Sequence, residues 1–299
     1  MYVVLGASGN TGYVVARNLL ASREKVRAVG RNAAHLQPLA ALGAEIFVAD
    51  VTDPSALTQA FQQADSAYVM IPPNLTSPDF RAYQERAGDA IATAVRTTKV
   101  ANIVSLSSIG ADKSSDTGPV VGLHNFEQKL NHIDGVNVLH LRAGYFMENT
   151  LPQAGAIRMM GSAMGPLRPD LKLPMIATHD IGTVAADALL RLDFRGKQTR
   201  ELLGQRDLDF VEVATIIGKS IGKPNLGYVH ALDDQVRAVL VQMGMSENVA
   251  SLLLQMAAAL NRGYMRALEP RTSRNTTPTP FENFVADRFV PAYQQQAAA

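Results

Sequence analysis

The feature that most restricts this chain lies at its beginning. The apolar run Tyr2-Val3-Val4-Leu5 leads directly into Gly6-Ala7-Ser8-Gly9-Asn10-Thr11-Gly12, and an amphipathic stretch follows to Ala21. A strand that passes through Gly-x-x-Gly-x-x-Gly into a helix is the phosphate-binding turn of a doubly wound α/β fold. The first glycine permits the tight turn, the second lets a phosphate approach the backbone, and the third lets helix and strand pack closely. Free N–H groups at the helix start then face a pyrophosphate, with the helix dipole favouring the anion. Gly6, Gly9 and Gly12 are therefore expected to bind a dinucleotide, with Ser8, Asn10 and Thr11 as added side-chain donors. The alternative is a purely structural turn.

The rest of the first 142 residues keeps the same rhythm. Further strands are predicted over Val26–Val29, Glu45–Ala49, Ala67–Ile71, Asn102–Leu106 and Val136–Leu141. Helices are predicted over Thr11–Ala21, Ala33–Leu42, Pro54–Gln62, Pro78–Thr97 and Leu123–Ile133. Asp53-Pro54 reads as a helix cap followed by proline at the first helical position. Such alternation predicts α/β architecture: a Rossmann-type doubly wound parallel sheet covered on both faces. Residues 1–143 are expected to form the dinucleotide-binding domain. Residues 144–299 are expected to form a smaller, mainly helical substrate-covering region that packs elements on it. In that region helices are predicted over Asp180–Leu192, Phe210–Ile221, Asp233–Met243, Ser246–Leu260 and Phe281–Phe289. A short strand is predicted at Glu201–Leu203, and a frayed tail over Gln294–Ala299.

Composition narrows the function classes. The chain has 299 residues, 47% of them hydrophobic and 18% charged, with no apolar run near the ~20 residues that span a bilayer. Its net charge of +1 offers no electrostatic footprint for nucleic acid. The absence of cysteine removes disulfides, thiolate metal sites and cysteine nucleophiles. With the first strand beginning at Tyr2, a cytoplasmic protein without a leader is expected.

The cofactor type is read from the second strand's end, about 20 residues past the glycine loop, where NAD-preferring proteins carry an acid for the ribose hydroxyls. Here Val29-Gly30-Arg31-Asn32 has no acid, and Arg31 offers a planar fork suited to a 2′-phosphate. NADP(H) is the expected cofactor; the alternative is a surface arginine. His35 reads as a solvated helix residue. In Ala49-Asp50-Val51-Thr52, Asp50 is expected either to accept from the adenine amino group or to cap locally, beside Val51. Ile71-Pro72-Pro73-Asn74 ends the fourth strand at the ligand crevice, where Asn74 is a candidate contact to ribose or nicotinamide.

These motifs resemble those of the NmrA-like family of atypical short-chain dehydrogenases/reductases, a group with NADPH-dependent quinone reductases and NADP-sensing regulators. The glycine loop, Val26-Arg27-Ala28-Val29-Gly30-Arg31-Asn32, Leu141-Arg142-Ala143-Gly144-Tyr145-Phe146-Met147-Glu148-Asn149 and Thr276-Thr277-Pro278-Thr279-Pro280-Phe281 carry the resemblance, and Asp180-Ile181-Gly182 is similar to a helix start of the group. The resemblance implies that Ser107 and Ser108 lie near the nicotinamide and that Tyr145 and Phe146 pack around it. Read from the residues alone, the two aromatics could equally be core.

The Tyr-x-x-x-Lys dyad of the classical enzymes is absent. None of the eight tyrosines has lysine four residues on: Tyr13 is followed by Arg17, Tyr83 by Ala87, Tyr145 by Asn149 and Tyr264 by Leu268. His124, at the start of the expected helix, is a candidate proton donor or oxygen ligand, with a helix cap as the alternative. Lys129 reads as solvated, and Glu127, two residues before it, does not share its face. His179-Asp180 reads as a cap. His-Glu-x-x-His, Gly-x-Ser-x-Gly and the Walker lysine are missing. Two functions follow. One is an NADPH-dependent oxidoreductase acting on a small quinone-like, carbonyl or conjugated acceptor, with water, His124 or a serine hydroxyl such as Ser107 supplying protons. The other is a non-catalytic NADP(H) sensor that contacts a protein partner. Oligomeric state is left open.

Overall fold

The computed structural model describes residues 1–295; the last residues of the expected frayed tail, 296–299, lie outside the described residues. Six strands alternate with five helices: β1 (Tyr2–Leu5), α1 (Asn10–Ala21), β2 (Val26–Gly30), α2 (Ala33–Ala40), β3 (Glu45–Val48), α3 (Pro54–Ala60), β4 (Ser66–Val69), α4 (Phe80–Thr98), β5 (Asn102–Ser108), α5 (Val120–Asn131) and β6 (Asn137–Ala143). After β6 come β7 (Tyr145–Phe146), α6 (Gln153–Met160), β8 (Ala163–Gly165), β9 (Leu173–Ile176), α7 (Thr178–Arg191) and β10 (Lys197–Leu202). The chain continues through β11 (Asp207–Leu208), α8 (Phe210–Ser220), β12 (Tyr228–His230), α9 (Asp233–Gln242), α10 (Glu247–Asn261), α11 (Phe281–Phe284) and α12 (Val290–Gln295).

The central sheet is parallel throughout, in the order β10-β6-β5-β4-β1-β2-β3. Strand order reverses on either side of β1, so the carboxyl ends of β1 and β4 diverge into a crevice. Both faces are covered. Leu57, Ala87, Phe126 and Leu130 of α3, α4 and α5 fill one side. Val15, Leu36, Ile181 and Leu189 of α1, α2 and α7 fill the other. That double covering explains why β4 is buried at every position and reads as a run rather than an alternation.

Two elements after residue 143 complete the central layers. Helix α7 packs on α1 and β10 pairs with β6 from Lys197↔Val138 to Leu202↔Ala143. The expected three-residue strand at Glu201–Leu203 is thus a six-residue sheet edge. Its polar run Lys197-Gln198-Thr199-Arg200 hides it, because edge strands are kept charged on their solvent side. The small sheets β11-β9-β7 and β12-β8 carry a separate core that includes Met175, Phe210, Phe281 and Phe289.

Helix α5 begins three residues before its expected start, at Val120 with Pro119 in the cap position. His124 therefore lies inside the helix and does not cap it. At the start of α7 the expected cap residues do something else. Glu148 reaches over from the turn after β7 and accepts from the Thr178 N–H (3.1 Å) and hydroxyl (2.6 Å). Asp180 is buried and accepts from the Thr279 N–H and hydroxyl, pinning the C-terminal loop to the sheet layer. No helix among the described residues is long and apolar enough to cross a membrane.

Candidate functional site

The glycine loop closes on itself. Gly6 takes a left-handed backbone (φ 62°) and its carbonyl accepts from the Gly9 N–H at 2.8 Å. A Cβ on Gly12 would strike that same Gly6 carbonyl, so only glycine allows α1 to start this close to β1. Gly9 is the N-cap of α1 and supplies no side-chain cap, so the opening N–H groups of the helix keep their donors for a ligand. Ser8 and Asn10 are exposed. Thr11 is buried, and its hydroxyl oxygen accepts from Tyr68 of β4 at 2.9 Å, so its side chain faces the interior.

A cavity of about 230 Å³ opens beside the loop. Gly6, Ser8, Gly9, Gly30, Arg31, Val51, Pro72 and Pro73 line it, together with Leu5, Val29, Ala49, Leu57 and Met70. Arg31 is exposed on its wall and makes no hydrogen bond or ion pair among the described residues. Asp50 stands off the wall: its carboxylate accepts from the Thr52 N–H (2.8 Å) and hydroxyl (2.7 Å) and closes a local turn. The Thr52 hydroxyl bond holds the Asp50 carboxyl below its usual range, with the nearby Arg31 charge acting the same way. Asp53 caps α3 through Ser55 and Ala56, as its Asp-Pro pair suggests. Ile71 is buried behind the two prolines, and Asn74 accepts from Thr76 in a turn of its own. Asp50, Ile71 and Asn74 do not line the cavity.

At the carboxyl ends of β5 and β6 the polar groups pair with one another. The Ser107 hydroxyl donates to Glu127 at 2.6 Å, and Arg142 forks onto the same carboxylate from Nε (2.9 Å) and Nη2 (2.6 Å). Ser107 is 3% exposed and Glu127 2%. Ser107 thus directs its proton into the protein rather than at a ligand. Ser108 donates to the Ile109 carbonyl. His124 is half-buried, and its Nδ1 lies 2.9 Å from the Ala111 carbonyl. A carbonyl only accepts, so Nδ1 carries a proton toward Ala111 and Nε2 is the ring nitrogen left for a ligand. Lys129 lies on another face of α5, bridged to Glu85 and Asp89 of α4.

The aromatic pair after β6 splits between two cores. Phe146 packs on the sheet side with α1 and α7, whereas Tyr145 packs with the C-terminal core, edge-on to Phe210 at 5.8 Å. Burial pushes the Tyr145 phenol up to about 12, so it is a neutral hydroxyl at ordinary pH. Sequence reasoning missed Met70, whose sulfur covers Gly6, and the Glu127–Arg142 pair. Helical spacing puts Glu127 three residues from His124 on one face, and that was the available signal.

A parallel doubly wound sheet with a glycine-rich, uncapped helix start at its switch point defines a dinucleotide-binding α/β protein. The chain belongs to the NmrA-like family, whose model matches residues 2–284. It is 29% identical over 265 residues to an NAD(P)H azoreductase of Xenophilus azovorans, covering 89% of each chain. It is 26% identical to quinone oxidoreductase 2 of Escherichia coli, covering 88% of this chain and 89% of that one. Its fold matches the crystal structure of an NADPH-dependent quinone oxidoreductase from Escherichia coli complexed with NADPH, with a TM-score of 0.81 at 24% identity over 96% of this chain and 99% of the other.

Proposed function

We propose that this chain is an NADPH-dependent oxidoreductase that passes hydride to a small quinone-like, carbonyl or otherwise conjugated acceptor without a Tyr-x-x-x-Lys dyad. The observation that carries the reading is the Arg31 guanidinium on the wall of the cavity, without a hydrogen bond or ion pair among the described residues, beside an uncapped helix start. A free planar fork at the end of β2 fits a 2′-phosphate, and free N–H groups at α1 fit a pyrophosphate. The relatives named for azo and quinone reduction place their own chemistry in the same class.

The bound cofactor supplies the hydride. The protein's part is to hold the acceptor and to place one proton. Gly6, Ser8, Gly9 and the first N–H groups of α1 hold the phosphates, with Asn10 at the mouth and Thr11 fixing the turn from within. Gly30, Val51, Pro72 and Pro73 wall the adenosine end. Tyr145 and Phe146 bound the acceptor end, where the neutral Tyr145 hydroxyl is available as a donor. His124 Nε2 accepts from a water or, as imidazolium, donates to the reduced oxygen or nitrogen. Ser107 takes no proton-transfer step in this scheme, because its hydrogen is directed at Glu127.

The test is to mix the chain with NADPH and a panel of quinones, azo compounds, aldehydes and enones and to follow nicotinamide absorbance. Acceptor-dependent loss of NADPH is expected. Tight NADPH binding with no turnover on any acceptor would overturn the oxidoreductase reading in favour of the non-catalytic NADP(H) sensor.

A further inference from the structure

Helix α5 turns three polar residues toward the sheet: His124, Glu127 and Asn131, spaced so that all fall on one side of a helix. Each meets a different layer. Asn131 Oδ1 lies 2.9 Å from His140 Nε2, and the Ser105 hydroxyl lies 2.7 Å from His140 Nδ1. One turn higher, Glu127 holds Ser107 and Arg142. Ser105 and Ser107 share a face of β5, His140 and Arg142 share a face of β6, and each serine stands beside one of them in the strand register. At the top, His124 holds the Ala111 carbonyl.

The two upper layers form a closed clasp. From Ser107 the backbone runs to Ala111, whose carbonyl meets His124. Helix α5 then carries the chain to Glu127, which returns to Ser107. Two hydrogen bonds of 2.6 and 2.9 Å therefore tie the end of β5 to one turn of α5. Arg142 holds the Glu127 carboxylate from β6, so that carboxylate cannot rotate away from Ser107 without abandoning a half-buried cation. The ring also fixes the His124 tautomer, because the Ala111 carbonyl claims the Nδ1 proton.

We infer that Glu127 is a positioning residue: through Ser107 and the loop to Ala111 it sets where the free Nε2 of His124 stands at the carboxyl edge of β5. The inference rests on the role given to His124 above. It predicts that weakening the clasp lowers turnover without loosening the cofactor, whose loop at Gly6–Gly12 lies on other strands.

The experiment uses Glu127→Gln, Ser107→Ala, His124→Ala and the double variants, with kcat and KM for NADPH measured on one quinone. Glu127→Gln keeps the shape but turns an amide toward Arg142, and Ser107→Ala removes only the hydroxyl and keeps the ion pair. Each is expected to lower kcat by about 10- to 100-fold, in line with the cost of slight misplacement, with KM for NADPH unchanged. In the His124→Ala background the further loss from either change should shrink to less than about twofold, because coupled residues are not additive. Should Glu127→Gln fail to fold, Ser107→Ala carries the test alone. Full additivity with His124→Ala, a rise in KM for NADPH in place of the loss in kcat, or Ser107→Ala turning over at the wild-type rate would overturn the clasp while leaving the role of His124 intact. His124→Ala turning over at the wild-type rate would remove that role and the inference with it.

Discussion

At the β1–β2 edge, α1 opens without a side-chain cap and Arg31 makes no hydrogen bond or ion pair among the described residues, whereas at the β5–β6 edge Ser107, Glu127 and Arg142 satisfy one another in a largely buried group. The two edges lie in one sheet and end at one crevice. Their polar groups nonetheless follow opposite rules. Uncommitted donors at the first edge suit a ligand that brings phosphates, since an exposed donor costs little while it waits in water. A buried carboxylate at the second edge must be paired in place, because leaving a charge unpaired there is expensive. Charged and polar residues at strand ends therefore divide into those that recognise and those that hold, and the division is visible in their partners rather than in their types.

The contrast can be broken from either side. The largest effect is expected from Glu127→Ala, which leaves the Arg142 guanidinium, only 14% exposed, without its carboxylate. Unfolding in urea should show a loss of about 3–5 kcal/mol. A loss below about 1 kcal/mol would mean that the group at β5–β6 does not hold the fold.

The layer beneath gives a pH test. Burial pushes His140 down to about 4. The unfolded chain binds that proton first, so stability is present above about pH 6.5 and is lost as pH falls toward about 4, by at most about 1.4 kcal/mol per unit. Urea unfolding from pH 7 to pH 4 should be less steep in pH for His140→Gln than for the native chain. Identical slopes would take His140 out of the acid response.

At the other edge, Gly12→Val forces a side chain against the Gly6 carbonyl. Strain of about 1–3 kcal/mol from such overpacking should weaken NADPH by about 10- to 100-fold in a fluorescence titration. Unchanged affinity would show that the turn does not shape the phosphate site. The smallest effect belongs to Lys129→Ala on the solvent side of α5, where the bridges to Glu85 and Asp89 are partly exposed. It should cost about 0–1 kcal/mol in thermal unfolding and leave turnover unchanged. A larger loss would mean that the α4–α5 surface carries part of the work assigned to Glu127.

Much of the first edge was legible in the sequence. The glycine loop, Gly30-Arg31 and the two prolines are contiguous signals, and each lies at a strand end where the topology needs it. Six strands were found near their observed bounds: burial on both faces writes β4 as an apolar run, whereas β3, at the sheet edge and exposed at both of its ends, shows through Ile46-Phe47-Val48. What stayed hidden depends on partners far apart in the chain. Ser107, Glu127 and Arg142 come from three elements, and nothing local marks a glutamate as buried. Thr11 reads as a loop donor, and nothing local shows that its side chain is buried and accepts from Tyr68, 57 residues on. Asp180 looked like a cap, yet its partner Thr279 lies 99 residues away. Strand β10 was masked by the charges that protect a sheet edge.

The difference between the edges turns on Arg31, and direct calorimetric titration of NADPH and NADH into the native chain and Arg31→Ala tests it most closely. The native chain should bind NADPH tighter than NADH by about 10- to 100-fold, the contribution of a charge-assisted fork on a phosphate. In Arg31→Ala that ratio should fall to near one while NADH affinity holds. A native chain with no preference, or a variant that loses both cofactors equally, would contradict the assignment of the uncommitted arginine to the 2′-phosphate.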